Sequence, residues 1–227
     1  MRRSVLFLAL LASGCAKGDP SGPDAGKAYF KQAGCLACHK IGAEGSAVGP
    51  DLTLVGFRHS AEWLDLWLKD PKAWKADTLM PNSRLSDAAR KTIVAYLAER
   101  RGQDWSPGGR PWESSSLPDA AAVGRVVYAR AGCIGCHGTG GAGGYPNPNA
   151  KGGRIPALNT VSEGYSKAEL IAKVRKGVAQ PLKADPSGPA PLVRMPAWGE
   201  KLSDAELDAV ASYLLTLSPA NAEKSDW

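Results

Sequence analysis

The chain has 227 residues, of which 44% are hydrophobic and 22% charged, a balance ordinary for a folded soluble protein with room for one or two domains. The formal net charge is +6, yet no Lys/Arg-rich run with interleaved aromatics occurs, so the basic balance does not point to nucleic acid. Gly 26 and Pro 17 indicate much loop, as in a small fold that borrows part of its core from a cofactor.

Met1-Arg2-Arg3 is a positive start, and Val5 to Ala12 is an apolar run too short to span a bilayer. Residues 1–14 therefore read as a secretory signal peptide. Leu11-Ala12-Ser13-Gly14-Cys15 resembles a bacterial lipoprotein signal, with Ala12 where that family usually has Leu. The resemblance makes Cys15 an acylated first residue. The alternative is an ordinary export cut nearby that leaves Cys15 as a spare thiol. Residues 15–23 form a lipid-anchored tether that stretches to roughly 25–30 Å. Loss of Arg2 and Arg3 leaves 26 basic residues against 22 acidic ones.

Residues 24–101 read as a first domain. Asp24 is expected to cap a helix through Ala28-Tyr29-Phe30 to Cys35-Leu36-Ala37-Cys38-His39. This Cys-x-x-Cys-His pattern is that of covalent c-type haem attachment. On one helical turn the two thiols lie on one face, placed to join the two vinyl groups of a porphyrin edge. The adjoining imidazole then meets the iron as proximal ligand. A zinc ribbon wants its second Cys pair within roughly 15–20 residues, and here the second pair begins at Cys133. A redox dithiol wants a strand-helix context that the flanking sequence lacks, and neither alternative explains the histidine. Ser60 opens a second helix with Trp63, Leu64, Trp67 and Leu68 on one face, ended by Asp70-Pro71. Ser86 caps a last helix whose Ala89, Ile93, Tyr96 and Leu97 share a face.

Residues 102–118 are a linker by composition, with Trp105 and Trp112 expected to pack it onto a domain. Residues 119–219 then repeat the first domain, leaving 220–227 as a C-terminal tail. Cys133-Ile134-Gly135-Cys136-His137 repeats the motif, and Gly124 precedes Cys133 as Gly26 precedes Cys35. Pro156-Ala157-Leu158 answers Pro50-Asp51-Leu52, and Met195-Pro196 answers Met80-Pro81. Ser166 with Glu169, and Ser203 with Glu206, spell capping boxes. The offset between copies grows from 98 at the first Cys to 106, 115 and 117, all by insertion between helices, the first gain falling in Gly138 to Gly153.

Apart from Met1, the only methionines are Met80 and Met195, at matching places before proline. A lone methionine is usually a gap-filler; the matched pair reads instead as two thioether ligands on the far side of each iron. A thioether favours the ferrous state and leaves no open coordination position, which suits electron transfer. His59, the third histidine, has Tyr165 as its counterpart in the second copy. It is either a solvated or capping residue or an iron ligand competing with Met80.

The two halves resemble class I cytochrome c domains, on the strength of Cys-x-x-Cys-His, Pro-x-Leu, Met-Pro and a terminal helix with Tyr-Leu. The whole chain is similar to bacterial dihaem cytochromes c. The resemblance implies an all-α fold of two tandem domains, each with three to five helices around one covalent haem c. It implies that Pro50 and Pro156 offer their carbonyls to the proximal histidines His39 and His137. Ile155 stands where the first copy has Gly49, so the local backbone is expected to differ there. Two haems add four propionates and bring the protein close to neutral. The expected function is a periplasmic, membrane-tethered carrier of single electrons between redox partners of a respiratory chain, not an enzyme. The alternatives are a dihaem peroxidase-like enzyme, hinted at by His59, and a cytochrome subunit of a larger membrane oxidoreductase.

Overall fold

The computed structural model describes residues 23–103, 110, 112–113 and 116–219. The signal segment, Cys15, Trp105 and the tail at 220–227 lie outside the described residues. The fold is all-α, as the sequence predicts. The first domain carries α1 (Pro23–Gln32), α2 (Val55–Arg58), α3 (Ala61–Lys69), α4 (Pro71–Trp74) and α5 (Asp87–Ala98). A two-residue hairpin, β1 (Lys40–Ile41) and β2 (Glu44–Gly45), pairs antiparallel with Ile41 opposite Glu44. The second domain carries α6 (Ala120–Ala131), α7 (Ile134–His137), α8 (Lys167–Lys176) and α9 (Asp204–Leu215). Among the described residues no helix is long and apolar enough to cross a membrane.

The caps follow the sequence closely. The hydroxyls of Ser60, Ser86, Ser166 and Ser203 accept from backbone N–H groups of the first turn, satisfying donors a helix start leaves orphaned. Both predicted capping boxes form. Two expectations need correction. Asp24 lies inside the first turn of α1 and is not its cap. The same helix ends at Gln32, short of the Cys pair, because Gly34 takes a left-handed φ of 75°. Asp70-Pro71 ends α3 as expected, but Asp70 also caps the short α4, its carboxylate accepting from Ala73.

In each domain the first and last helices cross at a glycine. A Cβ at Gly26 would sit 2.5 Å from Tyr96 Cβ, and one at Gly124 only 1.9 Å from the Ala209 carbonyl oxygen. The matching glycines noted in the sequence therefore mark the same close approach, α1 on α5 and α6 on α9. Phe30 packs on Tyr96 beside one crossing and Tyr128 on Tyr213 beside the other.

The domains share their cores. Leu54 and Phe57 of the first domain are buried in the cluster of the second, with Phe57 edge-on to Trp198 at 5.3 Å. Ile155 and Val193 of the second are buried in the cluster of the first. Trp112 of the linker is packed too. Trp112 is 3% exposed and its indole N–H donates to Glu206, which also accepts from Arg110 and closes the α9 capping box.

Candidate functional site

Cys35 starts a 3-10 turn, Cys35–Ala37, and the His39 N–H returns to the Cys35 carbonyl at 2.9 Å. The His39 imidazole then reaches Pro50, with Nδ1 2.8 Å from the carbonyl oxygen. That contact commits Nδ1 as the donor and leaves Nε2 as the nitrogen available to a metal. A Cβ at Gly49 would lie 2.9 Å from Cε1 and 3.0 Å from Nδ1 of the ring, so the loop passes His39 only as glycine. Burial lowers the His39 pKa; the Pro50 carbonyl opposes that and Arg58 adds to it. The imidazole is therefore neutral, as a ligand must be. Met80 lies across the same apolar cluster as Cys35, Leu36 and Leu52, its sulfur 3.0 Å from the indole nitrogen of Trp67. The buried Thr78 hydroxyl holds the Met80 N–H at 3.2 Å.

The second domain repeats this with changes. The motif is a true helical turn, α7, and the His137 N–H meets the Cys133 carbonyl at 2.9 Å. His137 Nδ1 lies 3.1 Å from the Pro156 carbonyl oxygen. Ile155, in the place of Gly49, carries its side chain into the core of the first domain, and its N–H donates to Tyr145 at 2.8 Å. Met195 joins Cys133, Ile134 and Leu158 on the second cluster. Its carbonyl accepts from Val178, and this close approach needs Gly177, whose φ is 65° and whose Cβ would meet the Pro196 carbonyl oxygen at 2.3 Å. The structure thus places the first cysteine of each motif and the matching methionine on one apolar cluster, once per domain, while Cys136 packs against the cluster of the first domain.

No disulfide joins the four motif cysteines. Burial pushes Cys133 up to about 12 and moves Cys35 and Cys136 in the same direction. A catalytic dithiol needs a lowered value, and none of these three thiols has one. His59 is no solvated cap. Its ring is stacked on Trp63 at 3.7 Å, its Nδ1 is buried, and only its backbone N–H caps α2, on Val55. Burial and then Arg58 hold its pKa well below that of an ordinary histidine.

Sequence reasoning missed the polar residues between the two sites. Arg58 is 6% exposed and donates to the Asp51 carbonyl and the Gly132 carbonyl, each at 2.8 Å. Asp51 is 7% exposed, accepts from the Thr53 N–H and hydroxyl, and lies 3.3 Å from Arg130 of the second domain. No local pattern announces this group, because each partner comes from a different element.

A family model described as cytochrome c matches residues 23–100 and again residues 121–218. The chain belongs to the cytochrome c family. Its likeness to cytochrome c oxidase subunit 2 of Alkalihalophilus pseudofirmus is 31% identity over 81 residues, covering 32% of this chain. The chain spans 24% of that relative's length. Cytochrome c domains hold haem c covalently and work by haem-based electron transfer.

The residues present fit that group. Each domain offers two thiols on one turn, an imidazole with one nitrogen committed to a carbonyl, and a thioether on the apolar cluster that its first cysteine touches. In the first domain the buried Trp63 indole nitrogen has no partner among the described residues and suits a carboxylate of the kind a haem edge carries.

Proposed function

We propose that this cytochrome c is a dihaem electron carrier, exported and held at the periplasmic face of a bacterial membrane by a lipid on Cys15. Cys35 and Cys38 would hold one haem and Cys133 and Cys136 the other, through thioethers. His39 and Met80 would ligate the first iron, and His137 and Met195 the second. Bound haem supplies a one-electron ferric/ferrous couple. The chain's part is to fix each imidazole through Pro50 and Pro156, to set the potential by a thioether opposite, and to keep solvent off the metal. The observation that carries this reading is the duplication of one geometry: in both domains the motif histidine is tied to a proline carbonyl, and the first motif cysteine shares an apolar cluster with the only internal methionine of that domain. Partners are other redox proteins of a respiratory chain. The likeness to an oxidase subunit favours a second reading, in which the protein is the cytochrome subunit of a larger membrane oxidoreductase.

Mass spectrometry of the mature protein tests the first claim: two haems of added mass are expected, and one or none refutes it. Replacing Met80 or Met195 with Ala should each remove the near-infrared sulfur-to-iron band of one haem; an unchanged spectrum removes that residue as ligand. Cys15→Ser should release the protein from membranes. Purification from native membranes with stoichiometric partners decides for the subunit reading.

A further inference from the structure

Resting on that dihaem reading, we infer that Arg58 is a potential-setting residue supplied by the first domain to the haem site of the second. It closes α2, and its two terminal nitrogens bridge the domains. One donates to Asp51, the residue after Pro50; the other donates to Gly132, the residue before Cys133. One guanidinium therefore joins the loop that orients His39 to the turn that carries the second Cys pair.

The guanidinium lies on the second motif itself. A Cβ at Gly132 would stand 1.9 Å from Nη1 and 2.3 Å from Cζ of Arg58, and one at Gly135, between the two cysteines, 3.4 Å from Nη1. Gly34 holds the matching position in the first copy with a similar left-handed backbone, and there a Cβ meets nothing within 4 Å. Among the described residues the guanidinium thus touches the turn of the second motif and not the matching turn of the first, although its charge also reaches His39.

Its charge is not cancelled locally. Arg58 meets only the backbone carbonyl of Asp51, while the buried carboxylate of that residue pairs with Arg130. Asp51 also follows Pro50, on the first site's side, where it offsets Arg58. A fixed positive charge in a poorly solvated position disfavours the ferric state of a neighbouring iron more than the ferrous, and so raises the potential. Arg58 holds up the potential of the second site, and the order of the two potentials depends on the domains staying docked.

The experiment is a spectroscopic redox titration of the holoprotein and its variants. The native protein should titrate in two one-electron steps; a single step refutes the dihaem reading itself, whatever the role of Arg58. Met195→Ala identifies which step belongs to the second site. In Arg58→Met that step should fall by at least a tenfold change in the oxidised-to-reduced ratio, about 59 mV for one electron, with a smaller change at the other. Arg58→Lys, which keeps the charge and loses the fork, should retain most of the native value. Equal loss in Lys and Met variants assigns Arg58 a purely structural role and overturns the inference, as does an unmoved second step. If Arg58→Met does not fold, Arg130→Gln decides: a lower second step supports the inference and an unchanged one overturns it.

Discussion

Gly49→Ala probes the proximal ligand of the first site without touching it. The new Cβ would stand 2.9–3.0 Å from two atoms of the His39 ring, where ordinary carbon contacts need about 3.5 Å. The ring must therefore give by about half an ångström. Its hydrogen bond to the Pro50 carbonyl starts at 2.8 Å, so that movement forfeits most of a contact worth about 1 kcal/mol. A donated Nδ1 proton makes the imidazole a stronger donor to iron and favours the ferric state. Weakening the bond must raise the first potential, by at most about 40 mV if the whole kilocalorie is differential. The assay is a redox titration beside the native protein, with the near-infrared band confirming that Met80 is still bound. The second midpoint should stay fixed, because Ile155 already occupies the equivalent position there with its side chain turned into the first domain. A fall in the first midpoint, or equal shifts in both, would refute this account of Gly49.

Gly124→Ala should destabilise the second domain by about 1–3 kcal/mol, although helix propensity alone predicts a gain of about 1 kcal/mol; chemical denaturation decides, and a higher midpoint removes the helix-crossing argument built on the 1.9 Å contact. Phe57→Ala removes the ring that the second domain buries against Trp198 and should cost about 3–5 kcal/mol, splitting one cooperative unfolding transition into two; a single unsplit transition argues against shared cores. Glu206→Gln tests a pH dependence. Burial raises the Glu206 pKa, but Trp112, the Ser203 N–H and Arg110 outweigh it and leave it below the ordinary carboxylate value. A lowered folded-state pKa contributes stability above the unfolded value near 4.5, lost as pH falls through the folded one. The variant should thus be less stable at pH 7 and converge on the native protein in acid, and parallel stability curves down to about pH 3 would exclude it.

Much of the fold was legible because it is written in local rules. Serine caps, capping boxes and apolar faces on α3, α5, α8 and α9 depend on residues within one or two turns of each other. The proposed ligand sets rest on another kind of signal: duplication turned two weak methionine signals into one strong coincidence. The short helices α2 and α4 were not, since four residues hold no period to read. Nor were Asp51, Arg58 and Arg130, whose meaning lies in contacts 74 residues apart in sequence, such as Arg58 to Gly132. His59 escaped because its role is set by the flat face of Trp63, which a histidine's sequence neighbours do not reveal.

The insertions in the second copy bear on how the pair works. They read as loops placed where lengthening is cheap, yet the structure uses them as contact. Tyr145, from the Gly138–Gly153 stretch, packs near Trp67 of the first domain at 6.1 Å between rings. Asn147 from the same stretch donates to the Val193 carbonyl at 2.9 Å and accepts its N–H at 3.2 Å, fastening Val193 into the first domain's core. The added residues thus close the seam beside Ile155 at one site and Met80, through Trp67, at the other. Two tandem copies on a plain linker would sample many orientations, and any transfer between their sites would be gated by diffusion. Here apolar burial from both sides, a ring inserted each way and a guanidinium spanning the seam fix one arrangement, so the duplication has yielded a two-site unit in which the second copy changed most where it meets the first.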